Sequence, residues 1–464
     1  MATVQPTQRP APPGPRSLAP AGWVWGQDQR EGVFLAVVIL GALGVAALWW
    51  IDTPTGALHT LGDRLTAAGR VTGLVGTYLV LVQVVLMARL PWLDRFIGSD
   101  RLSIWHRNNG AYTVSLLIAH AALIIWGYAA SDHASLVHET SVVVRTYTDM
   151  VAATVGLALL VFVGITSARM ARRRLKYETW YLLHLYTYLA IALSFSHQLA
   201  TGNEFATHPF SRAVWVGLYV LTFGLLGVFR IVVPVRDAFR YQLRVASVVA
   251  EGPGVVSVYV VGRHLDRLNA EAGQFFRWRF LTRGRWWEAH PFSLSAAPND
   301  RFLRLTAKAV GDHSTDLHDL PTGIRVAAEG PYGGFTPRRR TLGKLLLIAG
   351  GVGITPLRAM LEAVADDGSD IVLLYRTSTE GDVIFRSELD QLAHERGATV
   401  RYLVGRRDKR PNPLGEARLR AHVPDVADRD VFLCGPPGMV AHATHALRSL
   451  GVRRSQIHSE RFEL

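Results

Sequence analysis

Two stretches decide the fold of this chain. One is Trp105-His-Arg-Asn-Asn-Gly-Ala-Tyr-Thr-Val-Ser-Leu-Leu-Ile-Ala-His120, which continues apolar to Tyr128. The other is Trp180-Tyr-Leu-Leu-His-Leu-Tyr-Thr-Tyr-Leu-Ala-Ile-Ala-Leu-Ser-Phe-Ser-His197, which continues to Ala200. Each is long and apolar enough to cross a bilayer as a helix, and each carries two histidines. His106 and His120 are 14 residues apart (120 − 106), and His184 and His197 are 13 apart (197 − 184). At about 1.5 Å per helical residue each pair spans roughly 20 Å of a hydrocarbon core about 30 Å thick. One histidine of each helix therefore sits near each membrane face, where two facing helices would clamp two haems in tandem. Fourteen residues return close to the starting face of a helix. Thirteen fall short of it, an offset for haem tilt or a local helix irregularity to absorb. A lone histidine in a membrane helix reads as a polar group hydrogen-bonded within the bundle. Four at matched depths read as haem-iron ligands: His106, His120, His184 and His197.

Composition fits a chain partly embedded in lipid. Of 464 residues, 49% are hydrophobic, and the mean hydropathy is +0.17. The length suggests two or three domains. A single cysteine, Cys434, excludes an internal disulfide or a cysteine-held iron–sulfur cluster. Electrons must then travel on other carriers. The net charge of +13 would suit nucleic acid. Much of the arginine instead lies in short loops between apolar segments, and no basic stripe alternates with aromatics. Nucleic acid is therefore not a partner.

Residues 1–30 read as a disordered cytoplasmic tail, with Pro6, Pro10, Pro12, Pro13, Pro15 and Pro20 among small and polar residues. The tail lacks the charged-then-apolar order of a secretory signal. Six apolar segments follow, at roughly 33–51, 69–88, 105–128, 149–168, 179–200 and 212–233. Their lengths predict a six-helix transmembrane bundle over 31–236. Arg89, Arg95 and Arg101 precede the third segment. Arg169, Arg172, Arg173, Arg174 and Lys176 precede the fifth, and Arg230, Arg236 and Arg240 close the sixth. The other loops are sparsely basic and hold Asp52, Asp63, Asp132, Glu139 and Glu204. The positive-inside rule makes both termini cytoplasmic in the plasma membrane. That places His106 and His184 near the inner face and His120 and His197 near the outer. The outer loops also hold His59, His133, His138 and His208, solvated side chains whose chemistry can attract iron.

From residue 241 the pattern changes. Tyr241-Gln-Leu-Arg-Val-Ala-Ser-Val-Val alternates as a half-buried antiparallel strand does, and short strands continue to about 338. From Thr341 strand and helix alternate: Lys344-Leu-Leu-Leu-Ile-Ala, a helix from Pro356, Ile371-Val-Leu-Leu-Tyr, then strands at Thr399–Val404 and Val431–Cys434. This predicts a parallel sheet covered by helices. His290-Pro-Phe-Ser-Leu-Ser295 lies among the strands with its hydroxyls on one side. Lys308-Ala-Val-Gly-Asp-His-Ser-Thr315 offers a cation, a glycine and hydroxyls ahead of a helix, an arrangement that suits a pyrophosphate. Gly330-Pro-Tyr-Gly333 is a turn by composition. Gly350-Gly-Val-Gly-Ile-Thr-Pro356 joins a buried strand to a helix, its glycines admitting a ligand and its proline suiting the first helical position. It is neither the spaced dinucleotide glycine fingerprint nor a P-loop. Cys434-Gly-Pro-Pro-Gly-Met439 ends a strand at the edge where open α/β sheets bind ligands.

Taken in order, these motifs and the terminal Glu460-Arg-Phe462 resemble the ferredoxin–NADP reductase superfamily. With the four-histidine helices, nearly all of the chain after residue 30 resembles the ferric reductase and NADPH oxidase family. The resemblance implies a multidomain membrane protein. Its parts are the bundle, an antiparallel β-barrel FAD-binding domain at 237–340 and an α/β parallel-sheet NAD(P)-binding domain at 341–464. It implies that His290, Pro291, Phe292, Ser293, Leu294 and Ser295 hold the flavin ring and its diphosphate. Lys308, Gly311, His313, Ser314, Thr315 and Gly330 complete that site. Gly350, Gly351, Gly353, Ile354, Thr355 and Pro356 would cradle the nicotinamide dinucleotide phosphates, together with Gly435, Pro436, Pro437, Gly438 and Met439. Cys434, Glu460 and Phe462 would be the catalytic residues, Cys434 beside the nicotinamide and Phe462 stacked on the isoalloxazine until nicotinamide displaces it. Arg376 and Arg406, with Arg407, follow adjacent strands and would meet the adenosine phosphate of NADPH, favouring it over NADH. The implied function is electron transfer from NAD(P)H through FAD and two b-type haems to an extracytoplasmic acceptor. A ferric chelate is the leading acceptor and reduction of O2 to superoxide the alternative. A haem-free, membrane-anchored flavin reductase is the remaining reading. No protein partner is specified.

Overall fold

The computed structural model describes residues 27–53, 56, 58–168, 174–175, 177–283, 288–309, 316–364, 369–405 and 412–461. The proline-rich stretch, Arg169, Arg172, Arg173, Lys176, Gly311, His313, Ser314, Thr315, Arg406, Arg407 and Phe462 lie outside the described residues. The chain forms two compact units, one spanning Arg30–Phe239 and the other taking Arg240–Leu464.

In the first unit the described helices are α1 (Gln27–Asp52), α2 (Leu61–Leu86), α3 (Pro91–Ile97), α4 (Ser99–Ser131), α5 (Leu136–Thr146), α6 (Met150–Ser167), α7 (Tyr177–Leu193), α8 (Phe195–Thr201), α9 (Asn203–Ala206) and α10 (Pro209–Gly227). A π-helical turn, Val228–Val232, carries α10 into α11 (Val233–Tyr241). Five helical stretches are long and apolar enough to cross a membrane: Gln29–Ile51, Leu61–Leu86, Arg101–Ser131, Met150–Ser167 and Pro209–Tyr241. The expected segment at 179–200 is not one continuous helix. It is α7 and α8, divided by a turn at Ser194, where φ is −88° and ψ −3°. The Ser194 carbonyl accepts the Gln198 side-chain amide at 2.7 Å. Helix α2 begins eight residues before its expected start (69 − 61), because Thr60 and Asp63 close a capping box. Asp63 N donates to Thr60 Oγ1 at 3.1 Å, and Thr60 N to Asp63 Oδ2 at 2.9 Å.

Among the described residues the second unit contains three sheets. Two are three-stranded, β1 (Arg244–Gly252), β2 (Val255–Val261) and β5 (Leu303–Lys308) in one, β4 (His290–Ser293), β3 (Phe275–Phe280) and β6 (Val326–Tyr332) in the other. The expected single barrel therefore stands as two antiparallel sheets, with one isolated bridge at each seam, Leu294↔Leu305 and Arg244↔Arg325. Their inward faces share a core of Val258, Val260, Phe276, Trp278, Leu294, Leu303 and Leu305.

The third sheet is parallel throughout, in the order β11 (Ile457–Arg461), β10 (Asp430–Gly435), β7 (Lys344–Gly350), β8 (Asp370–Thr377), β9 (Thr399–Val404). Its strands β7, β8 and β10 are apolar on both faces, as a doubly covered sheet requires. Leu345, Leu347 and Ala349 pack beneath α12 (Ile354–Ala363) and α13 (Arg386–Arg396). Leu346 and Ile348 pack beneath α14 (Glu416–His422) and α15 (Pro437–Ser449). The chain runs β7 to β8 to β9 in one direction and returns to β10 on the other side of β7. The carboxyl ends of β7 and β10 are therefore the switch point at which such sheets bind ligands.

Candidate functional site

Three of the four membrane histidines are held through Nδ1. His106 Nδ1 lies 3.3 Å from the Gln83 carbonyl, and His120 Nδ1 lies 2.8 Å from the Gly69 carbonyl. A carbonyl only accepts, so each Nδ1 carries the hydrogen and each Nε2 keeps its lone pair, as a metal-ligating histidine requires. Gln83 returns the contact by donating its side-chain amide to the His106 carbonyl at 3.0 Å. His184 Nδ1 is 3.1 Å from Ser167 Oγ, which also accepts the Trp180 indole N–H at 3.2 Å. His197 Nδ1 is buried and has no partner among the described residues. The His106 and His184 rings lie 5.9 Å apart between centroids at 71°. His106 and His184 would hold an iron between them, were one bound, each through the nitrogen left free by its Nδ1 contact. Helix α2 reaches α4 through glycine: a Cβ on Gly73 would stand 2.5 Å from His120 Nδ1.

In the second unit, β4 pairs antiparallel with β3, setting Ser293 opposite Phe275 and His290 opposite Trp278. Trp278 Nε1 donates to the Phe292 carbonyl at 3.0 Å. Of the expected flavin residues, Pro291 is exposed and His290 and Phe292 are half-buried. Ser293 is 4% exposed, and its hydroxyl has no partner among the described residues. A buried, unsatisfied hydroxyl on this strand fits a bound ligand that supplies its hydrogen bond. Leu294 points into the core, and Ser295 spends its hydroxyl on Arg304 and Thr306. Lys308, at the end of β5, is ion-paired with Asp382 at 3.5 Å. Gly330 lies against Phe276.

At the switch point the backbones of β7 and β10 crowd together. A Cβ on Gly353 would stand 2.6 Å from the Cys434 carbonyl carbon, and one on Gly435 would stand 2.6 Å from Met439 Cε and 3.1 Å from Gly350 Cα. Glycine here lets Gly350–Pro356 and Cys434–Met439 form one continuous lip, with α12 and α15 opening from it. Cys434 is fully buried and pairs in register with Glu460. Burial first, and the Glu460 charge second, push its thiol well up, so it is a neutral thiol rather than a nucleophile. Arg376 stands beside Gly350 in the β7–β8 register, and its guanidinium donates to the carbonyls of Leu403 (3.0 Å) and Thr377.

Sequence reading missed the groups behind the ligands: Gly69, Gly73, Gln83, Ser167 and Trp180 in the bundle, and Arg304, Arg358, Glu362 and Glu388 in the second unit. The glycines of α2 stand at 62, 69, 73 and 76, a small-residue spacing that marks close helix packing. That signal was available.

Residues 72–195 match the ferric reductase like transmembrane component, 240–336 an FAD-binding domain and 347–445 an oxidoreductase NAD-binding domain. The chain belongs to the family that joins a ferric reductase-like transmembrane component to a ferredoxin–NADP reductase-type module. This ferric reductase-like chain is 35% identical over 190 residues to ferredoxin–NADP reductase B of Sorangium cellulosum (strain So ce56), covering 37% of this chain and 77% of that protein. It is 32% identical over 234 residues to the ferredoxin reductase component of 3-ketosteroid-9-alpha-monooxygenase from Mycolicibacterium smegmatis, covering 48% of this chain and 65% of the relative. It is 31% identical over 231 residues to a flavohemoprotein of Burkholderia sp. (strain TH2), covering 47% and 58%. The chain thus spans less than two thirds of the length of these last two relatives. Among solved structures it is similar to the FAD/NAD-binding domain of nitric oxide dioxygenase from Vibrio cholerae O1 biovar El Tor, at 26% identity and TM-score 0.40, covering 48% of this chain and 98% of that one. The ferric reductase-like chain is an integral membrane protein and an NAD(P)H oxidoreductase with FAD- and NAD-binding domains.

Proposed function

We propose that this oxidoreductase moves electrons across the plasma membrane, from cytoplasmic NAD(P)H to an extracytoplasmic ferric chelate, with both termini cytoplasmic. The observation that carries the reading is the pairing of His106 with His184, rings 5.9 Å apart, with His120 further along α4 and His197 on α8, the helix that follows α7. His106 with His184, and His120 with His197, would each hold one b-type haem. FAD would lie on the His290–Ser295 strand, and NADPH at the lip of β7 and β10. When bound, the flavin converts a hydride into single electrons and a haem iron carries one electron at a time. The protein supplies position. The Gln83 and Gly69 carbonyls fix two imidazole tautomers, the Ser167 hydroxyl holds a third ring, and the apolar helices keep water from the path. His59, His133 and, in the first turn of α5, His138 are exposed in the connections assigned to the outer face, where a ferric chelate would arrive.

The test is NADPH oxidation by the full-length protein in sealed vesicles, with ferric citrate or oxygen offered on the side opposite NADPH. Ferric reduction that survives superoxide dismutase supports the proposal. Superoxide formation without direct ferric reduction moves the acceptor to oxygen. Flavin reduction with neither acceptor reduced overturns the transmembrane pathway.

A further inference from the structure

Arg304, on β5, is 2% exposed. Its Nε donates to Ser295 Oγ at 3.1 Å and its Nη2 to the Ser295 carbonyl at 2.6 Å. The same guanidinium forks onto both oxygens of Glu388, at 2.9 and 3.1 Å. Glu388 belongs to α13, and its second partner is Arg358 of α12 at 2.9 Å. Arg358 also pairs with Glu362 one turn along, and Glu362 Oε2 accepts the Ala297 amide at 2.7 Å. The contacts therefore close a ring. They leave the flavin motif at Ser295, just past β4, pass through Arg304, Glu388, Arg358 and Glu362, and return to the segment that follows β4 at Ala297.

Two further features hold the ring in place. Phe385 adopts a left-handed φ of 61°, unusual for a bulky residue, and its ring lies 4.7 Å from the Arg304 guanidinium. Burial raises the Glu388 carboxyl, but its hydrogen bonds and charge pairing with Arg304 and Arg358 outweigh that and hold it below the usual carboxylate range. Apolar side chains of similar volume would join the two layers without desolvating four charges. What the fork adds is orientation as well as distance. Helix α12 opens at the Gly350–Pro356 loop, so the ring ties the strand that carries the flavin motif to the helix that begins at the nucleotide lip.

We propose that Arg304, Glu388, Arg358 and Glu362 are positioning residues for hydride transfer, fixing the flavin strand against the nucleotide helix. The step they serve moves one hydride, a proton with an electron pair, from dihydronicotinamide to oxidised flavin, leaving NAD(P)+ and the reduced flavin anion. Neither the haem pairs nor the acceptor enters this step.

The experiment is anaerobic stopped-flow bleaching of the flavin in the full-length FAD-loaded protein, with NADPH varied to saturation. Hydrogen–deuterium exchange over Ser295–Ala297 and the melting temperature are read in parallel. Glu388→Gln should lower the limiting bleaching rate on the order of 10- to 100-fold with little change in the Kd for NADPH, since small misplacements cost that much. Exchange at Ser295–Ala297 should quicken at an unchanged melting temperature. Arg358→Lys keeps charge and bulk but loses the fork, should share this signature, and decides the matter if Glu388→Gln fails to take up FAD. Combining the two should cost less than the product of the single losses. A wild-type limiting rate, a slowed rate with wild-type exchange, or losses that follow only melting temperature or flavin content would overturn the proposal.

Discussion

The imidazole of His106 stands 5.9 Å from that of His184, with the ring planes at 71°. The two residues come from helices far apart in the chain, and each Nδ1 has a partner of its own, the Gln83 carbonyl and the Ser167 hydroxyl. This is the disposition expected of two ligands with an iron to share.

Removing the second pair should divide the pathway. His120→Leu or His197→Leu should halve the haem content while leaving NADPH reduction of the flavin unchanged. Haem quantified against protein, with flavin bleaching in the same samples, reads both effects. Full haem in both variants would remove these residues from the ligand set.

Gly73→Ala should disturb His120 although alanine favours helices by about 1 kcal/mol over glycine. The added Cβ would lie 2.5 Å from His120 Nδ1. Overpacking of this kind costs about 1–3 kcal/mol, enough to outweigh the propensity. Gly44→Ala, with nothing within 4 Å of its Cβ, is the control. Lower haem content and melting temperature in the first variant alone is the expected outcome; equal behaviour would mean that α2 yields freely.

Arg376→Ala should weaken NADPH by about 10- to 100-fold, the loss of a charge-assisted hydrogen bond. NADH should be little affected. The guanidinium already lies at the carboxyl edge beside Gly350, anchored to the Leu403 carbonyl. Steady-state kinetics with both nucleotides decide it, and equal losses would make Arg376 a strand-end brace.

Asp425 gives a pH-dependent prediction. Arg429, donating at 2.8 Å, is the main cause that lowers its pKa from 3.8 to about 2, against a smaller opposing effect of burial and with Lys344 adding a 2.7 Å contact. A depressed carboxylate contributes stability that is fully present above its unfolded pKa and is lost as pH falls through the folded one. Asp425→Asn should therefore lower the melting temperature at neutral pH, with the difference shrinking as pH falls from 3.8 toward 2. A difference independent of pH would assign the effect to packing.

Hydropathy showed five of the membrane-spanning stretches because long apolar runs leave few alternatives. It did not show the break at Ser194, where the Gln198 side-chain amide reaches back to the Ser194 carbonyl. That break falls between His184 and His197, where the 13-residue spacing had asked for an irregularity. The start of α2 was written locally in Thr60 and Asp63, but the polar first turn hid it from a hydropathy reading. The Arg304–Glu388 ring could not be read, because its members lie 84 residues apart and each looks like a solvated charge. The Arg304 partner of Ser295 could not be read either, since it becomes a neighbour only when β5 folds alongside.

The most direct measurement is the visible spectrum of the full-length protein during anaerobic addition of NADPH. The account predicts that the flavin bleaches and that reduced b-type haem bands then appear, with the haem bands diminished in His106→Leu and His184→Leu while bleaching persists. Flavin bleaching with no haem band in the wild-type protein would contradict it.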